Sequence, residues 1–325
     1  MDCRPVRLLI ADGRGGIGAG IEHGRKAAVV QVLWQWPGDF QGIGPGQELL
    51  DGSDTGLGAD LPDREPGVQP QAKQFSDFAH WNSLCCHDPD QVWRESVSLN
   101  DLRAYPARAY FERRRVKKAA MSACDLRFHC ALNYVGADGG VLGTYGAVLA
   151  LVRNNAGEPV SIHRTFITKS GLKVDFLGRK NKARKLTPSV NKHSKGRQIR
   201  LFQQPKGVIG IAEGLETALA VSQMTGLTVW PTLSTTMLQS FEPPEGVNTV
   251  LVMVDKDRNQ AGEIAANTLT QRLTEKGVAV IQLLPPTPIL ESDIKGVDWA
   301  DQLVRDPRGF DLISQVLKDR LRKTA

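Results

Sequence analysis

The chain reads as an α/β protein in which a parallel sheet flanked by helices occupies the C-terminal part. A small α+β region and a glycine-rich N-terminal extension precede it. Three observations predict this. Between residues 206 and 305, short apolar runs alternate with helix-forming stretches, the mark of a parallel βα arrangement. The runs are almost wholly apolar rather than alternating, as expected of strands covered by helices on both faces. The helical stretches stop at Gly226 and Gly277, residues suited to a left-handed C-terminal cap.

In chain order, residues 1–74 contain 14 of the 32 glycines, and little of their sequence is periodic. They offer too little apolar surface to offset the entropy of ordering, so a disordered extension is expected. Gly13, Gly15 and Gly18 follow an apolar run in GxGxxG spacing. A dinucleotide site needs a helix next, and Gly20 and Gly24 interrupt it. Residues 75–205 read as the small α+β domain. Residues 206–325 begin with the strand "GVIGIA", followed by the helix "LETALAVSQMT" and the strand "LTVWPTL". The short helix "TTMLQS" has Ser234 as N-cap. The strand "NTVLVMV", the helix "AGEIAANTLTQRLTEK", the strand "VAVIQLL" and a helix opening at "DWADQLV" complete the order.

At 325 residues, 41% apolar and 23% charged, the composition is that of a globular protein with ample core. No apolar run approaches the roughly 18 residues that span a bilayer, and no signal-peptide pattern opens the chain, so a cytoplasmic protein without membrane partners is expected. Five cysteines (Cys3, Cys85, Cys86, Cys124 and Cys130) lack framework spacing and fit free thiols. "CCHD" at 85–88 has no second pair, and no zinc site is expected.

Three carboxylates stand at strand ends. Glu213 follows the first strand of the C-terminal region, and Asp255 and Asp257 follow the third. Open parallel sheets gather their strand C-termini on one edge, where ligands bind. Clustered carboxylates repel, and a hard cation such as Mg2+ (or Mn2+) relieves that repulsion. The competing reading is that acidic residues at strand ends merely cap the next helix.

"IAEGLETALA" together with "VMVDKDRNQAG" resembles the Toprim domain of bacterial-type primases, topoisomerases and OLD-type nucleases. Its motifs are a glutamate after the first strand and an Asp-x-Asp after the third, matched here by Glu213 and by Asp255 and Asp257. The later "KGVDWADQL" is similar to the primase-like proteins of plasmids, phages and integrative elements, and Asp298 falls at their additional acidic position. The resemblance extends upstream to about residue 100. It implies a DNA primase-like, Mg2+-dependent nucleotidyltransferase acting on single-stranded DNA with nucleotides. Glu213, Asp255 and Asp257 are then the catalytic and metal-binding residues. The alternatives are a Toprim nuclease and a non-catalytic nucleic-acid-binding accessory protein.

No Cys-x-x-Cys pair marks a primase zinc ribbon, so an incomplete primase is one reading. No GxxxxGK[ST] motif marks a fused helicase motor, which leaves a separate replicative helicase as the partner. Residues 1–74 match nothing in the resemblance, and sequence foreign to the native protein is one expectation for them. The four tyrosines (Tyr105, Tyr110, Tyr134 and Tyr145) sit in no topoisomerase cleavage module.

Residues 164–200 hold 12 Lys or Arg against one acid, Asp175, a local excess of +11 in a chain of net charge +6. Such a run neutralises phosphates without reading sequence. The expectation is a loop whose Arg179, Lys180, Lys182, Arg184, Lys185, Lys195 and Arg197 contact nucleic acid. His163 and Arg164, read as the end of the preceding strand, are further candidates.

Overall fold

The structure is a computed structural model, and it describes residues 10–11, 29–32, 88–176, 182–188 and 196–324. From the N-terminal extension it describes β1 (Ile10–Ala11) and β2 (Val29–Val32), paired antiparallel. This departs from the expectation of an extension without ordered elements. The reason lies in "VVQV": it is rich in β-branched residues and fits a sheet edge. The glycine motif at 13–18 lies outside the described residues, as does most of the extension.

The next unit starts with α1 (Pro89–Glu95), where Asp88 caps the backbone N–H of Asp90 and Pro89 takes the first position. A single 3-10 turn leads into α2 (Tyr105–Arg113) and α3 (Lys117–Ser122). Three long antiparallel strands come next: β3 (Leu126–Val135), β4 (Val141–Arg153) and β5 (Pro159–Ile167). Two short strands extend this sheet. β6 (Arg184–Leu186) pairs with the open side of β5, and β7 (Gln198–Ile199) pairs with the end of β4. The basic segment is therefore not a plain loop, because an unpaired strand edge supplies hydrogen-bond partners that sequence periodicity does not reveal.

The C-terminal unit comprises β8 (Gly207–Ala212), α4 (Leu215–Thr225), β9 (Val229–Pro231), α5 (Thr235–Gln239) and β10 (Val247–Met253). It continues with β11 (Lys256–Asp257), α6 (Ala261–Glu275), β12 (Ala279–Leu283), β13 (Gly296–Val297), α7 (Trp299–Arg305) and, after a 3-10 turn, α8 (Asp311–Thr324). The sheet runs β1-β2-β12-β10-β8-β9, parallel throughout except for β1. The expected α/β class with a parallel sheet and flanking helices is present. The expected caps are also in place. Gly226 ends α4 at φ 71°, and the Ser234 hydroxyl accepts from the Met237 N–H at 3.2 Å.

Both faces of the parallel sheet are covered. On one, Ile209, Ile211, Val250 and Val252 pack against Ala265, Leu269 and Leu273 of α6. On the other, Ala212, Leu251 and Leu283 join Leu215 and Leu219 of α4 and Trp299 of α7. That second core continues without a break into Phe111, Phe128, Val148 and Ile167 of the preceding unit. A continuous core fixes the antiparallel sheet relative to the parallel one, because close-packed interiors resist sliding. No helix among the described residues is long and apolar enough to cross a membrane.

A small antiparallel ribbon lies at the C-terminal edge of the parallel sheet. β11 pairs with β13, setting Lys256 opposite Val297 and Asp257 opposite Gly296. Gly296 sits at φ 129°, and a Cβ there would run into the Lys256 carbonyl oxygen. Gly296→Ala is expected to lower stability by about 2 kcal/mol or more through combined strain and clash. Urea unfolding of the variant measures this, and an unchanged midpoint would refute it.

Candidate functional site

Parallel pairing of β8 with β10 sets Ala212 opposite Met253. Glu213 is the residue just after the first strand, and Asp255 lies two residues beyond the second, so both leave the sheet on the same edge. Asp257 is on β11, and Asp298 arrives one residue after β13. All four line one cavity of about 520 Å³. The structure thus brings together every acidic residue singled out from sequence.

Their local roles differ. Asp298 is the N-cap of α7: its Oδ1 accepts from the Asp301 N–H at 2.8 Å, and Asp301 Oδ2 accepts from the Asp298 N–H at 3.3 Å. The neighbouring Trp299 is fully buried and donates its indole N–H to the Leu283 carbonyl at 3.1 Å, which pins α7 to the end of β12. Asp257 Oδ2 accepts from the Gly262 N–H at 3.2 Å, in the first turn of α6. Gly262 is required there, because a Cβ would lie 2.8 Å from the Asp255 carbonyl oxygen. Lys256, between the two aspartates, bonds away from them, to the carbonyls of Pro286 and Thr287. Helix capping therefore accounts for one oxygen each of Asp257 and Asp298.

Asp255 has no such account. Its Oδ1 is sealed from solvent and has no hydrogen-bond partner. Burial pushes its carboxyl well above the usual range, and the charges of Asp298, Glu213, Asp257 and Asp301 push it further. Glu213 is raised by burial and by Asp257, with Arg184 acting against them. Asp298 is raised by burial and by Asp301. A buried oxygen without a partner amid repelling carboxylates is the environment that a hard cation satisfies. Among the described residues, no group of three or more His, Cys, Asp or Glu side chains is drawn together as a ready metal cage. Mg2+ does not require one, since one or two carboxylates with waters and substrate phosphates complete its shell.

The residues read as nucleic-acid contacts fare unevenly. Arg184 and Lys185 line the same cavity, and His163 does too. His163 lies inside β5 rather than at its end; it is 7% exposed, and burial lowers its imidazole to about 4, so it is neutral at pH 7. Arg164 points to the opposite face of the sheet, where its guanidinium lies 5.9 Å from the Phe166 ring. It does not line the cavity, and neither do Lys182 and Arg197. Arg179, Lys180 and Lys195 lie outside the described residues.

Sequence reasoning missed several cavity residues: Arg114, Lys173, Glu216, Lys295 and Asp301. Glu216 is the most instructive. It stands in the first turn of α4, where a helix-forming glutamate attracts no notice. Yet it is buried, accepts from Lys173 Nζ at 2.8 Å, and accepts from the hydroxyl of Tyr110. The only signal was its place three residues after Glu213, in the first turn of the helix that follows it.

Residues 208–308 match the family model of the Toprim domain, so the chain carries a Toprim domain. Residues 88–197 match the model of a domain of unknown function, DUF7146. No curated protein matches the chain. Among solved structures, the chain is similar to the primase fragment of the bacteriophage T7 primase-helicase protein, at 15% identity and TM-score 0.38 over 61% of this chain and 70% of that one. It is similar to the DnaG catalytic core at 17% identity and TM-score 0.43, over 70% and 75%. The E. coli primase catalytic core matches at 17% identity and TM-score 0.41, over 70% and 79%.

The carboxylate geometry carries a stability consequence. Asp255 is raised in the folded chain, so its ionisation destabilises the fold as pH climbs from the unfolded carboxylate value through the folded one. Without metal at pH 7, Asp255→Asn is expected to be more stable than the wild type by about 1 kcal/mol or more. Mg2+ is expected to raise the melting temperature of the wild type but not that of the Asp255→Asn/Asp257→Asn chain. Thermal melts with EDTA and with Mg2+ measure both effects, and equal shifts in the two chains would refute a shared site.

Proposed function

We propose that the chain performs Mg2+-dependent nucleotidyl transfer on a single-stranded DNA template, making primers in the manner of a DNA primase, with Mn2+ as a competent substitute. One observation carries this reading: the charge division of the cavity. The Toprim unit contributes Glu213, Glu216, Asp255, Asp257, Asp298 and Asp301 against a single lysine, Lys295, while the charged residues of the preceding unit are all cations, Arg114, Lys173, Arg184 and Lys185. The Toprim match over 208–308 supports the assignment of the acidic side. In this reading residues 206–325 form the catalytic domain and 75–205 a domain that holds phosphate. The protein works in the cytoplasm, with a separate helicase supplying the single strand.

The residues divide the work by chemistry. Asp255 would hold the cation through the oxygen that has no protein partner, and Asp257, Asp298 and Glu213 would hold it directly or through waters. A bound divalent cation supplies charge neutralisation at the reacting phosphate and lowers the pKa of the attacking hydroxyl. Glu213, raised by its surroundings, is suited to take a proton from that hydroxyl. Arg184 and Lys185 neutralise the phosphates of the bound strand or nucleotide.

Incubation with a single-stranded template, labelled nucleotides and Mg2+ tests the reading. Template-length-limited products are expected, and Asp255→Asn or Asp257→Asn should reduce their synthesis by roughly 100-fold or more. Shortened template would instead mark a nuclease, and binding without turnover an accessory protein.

Strand binding gives an independent check. Replacing Arg184 and Lys185 with Ala should weaken binding of single-stranded DNA regardless of sequence. It should also flatten the salt dependence by about one to two units, given a slope of about −0.7 per contact. Titrations across a salt series read this directly, and an unchanged slope would remove both residues from the strand path.

A further inference from the structure

Glu216 is a buried carboxylate bonded across the two units. It comes from α4 of the Toprim unit, while both its partners come from the preceding unit. The Tyr110 hydroxyl, on α2, donates to Oε1. Lys173 Nζ, just after β5, donates to the same oxygen at 2.8 Å and lies 5.7 Å from the centre of the Tyr110 ring. Glu216 and Lys173 both line the cavity that holds the four carboxylates. Burial pushes the Glu216 carboxyl up, but Lys173 and the Tyr110 hydroxyl outweigh it and hold the group well below the usual range. Burial pulls the Lys173 ammonium down, and Glu216 is what opposes the fall, against the like charges of Arg184 and Arg114. The neutral His163 imidazole, in the same cavity wall, adds no charge at pH 7.

We propose that Glu216 is a positioning residue that holds the Lys173 ammonium, fixed by Tyr110 and the joint between the two units, in the cavity wall as a binding group for an anionic phosphoryl oxygen. A lysine has three donors, and Glu216 Oε1 takes one, so donors remain for a ligand in the cavity. The device suits a ligand that must bridge the units: its phosphate meets a cation from one while its reacting end meets the carboxylates of the other. This inference rests on the nucleotidyl-transfer reading for the identity of the ligand, but not for the binding itself.

The test is binding of inorganic tripolyphosphate in EDTA, measured by calorimetric titration between pH 6 and 9, for the wild type, Lys173→Met, Glu216→Gln and the double variant. Lys173→Met should bind about tenfold more weakly at all these pH values. Glu216→Gln leaves Lys173 without its partner, so the ammonium loses its proton at lower pH. Affinity should then fall at pH 8–9 and recover toward pH 6. The double variant should match Lys173→Met with no additive loss, as expected of two residues acting as one. Tyr110→Phe keeps the buried ring, removes only the donor, and should show a smaller loss of the same pH form, which keeps the test usable if Glu216→Gln folds poorly. Tripolyphosphate affinity unchanged in Lys173→Met, or a loss in Glu216→Gln that is the same at every pH, would overturn the proposal. Parallel titrations with ATP and with a single-stranded oligonucleotide identify the source of the phosphoryl group as nucleotide or strand. Normal tripolyphosphate behaviour in a chain that synthesises nothing would overturn the primase reading while leaving the Glu216 assignment intact.

Discussion

The parallel pairing of β8 with β10 is the constraint on which the site depends. With Ala212 opposite Met253, the chain must leave both strands at one edge and at nearly one height. Glu213 and Asp255 therefore become neighbours although 42 positions separate them in sequence. Antiparallel pairing would have sent these residues to opposite ends. The hydrophobic cores on both sheet faces hold this register, because slipping by one residue would turn Val250 and Val252 away from Ala265 and Leu269.

The fold tolerates carboxylate crowding by giving several of the acids structural work. Asp257 caps the start of α6, and Asp298 and Asp301 cap one another's backbone at the start of α7. Helix N-termini carry partial positive charge, so these two positions are among the few places where added negative charge is welcome. Asp255 is left as the uncompensated member, with a sealed oxygen and no donor. A cation is the remaining way to satisfy it. The same geometry explains the ribbon of β11 and β13, which brings the Asp298 turn against the Asp257 strand and needs Gly296 to do so.

The basic groups enter from a different unit, and their placement depends on the shared core. Phe111, Phe128 and Ile167 pack in one cluster with Leu215, Leu219 and Trp299. That packing brings Arg114, Lys173 and Arg184 to face the acidic edge. Burying a charged pair such as Lys173 and Glu216 is costly unless the geometry is good and further hydrogen bonds are made. Here the Tyr110 hydroxyl supplies the extra bond. The result is a joint held by a shared core and side-chain bonds rather than two units tethered by chain alone.

The sequence by itself determined the local chemistry. The order of the principal strands and helices over 207–305, the Ser234 and Gly226 caps, and the three carboxylates at strand ends were legible, whereas the short ribbon strands β11 and β13 were not. Periodicity, capping and turn preferences are short-range, so they are written in neighbouring residues. What the tertiary structure decided is of longer range. A short stretch of the extension could join the sheet only because β12 left an edge open for "VVQV". Lys185 and Leu186 became strand because β5 was unpaired beside them. His163, read as a surface contact, is buried because its face of β5 forms the cavity wall beside Glu216, Lys173 and Arg184. Glu216 looked like an ordinary helix residue until Tyr110 and Lys173, 106 and 43 positions away, met it. Such contacts are set by which surfaces pack together, and no local pattern in the chain encodes that.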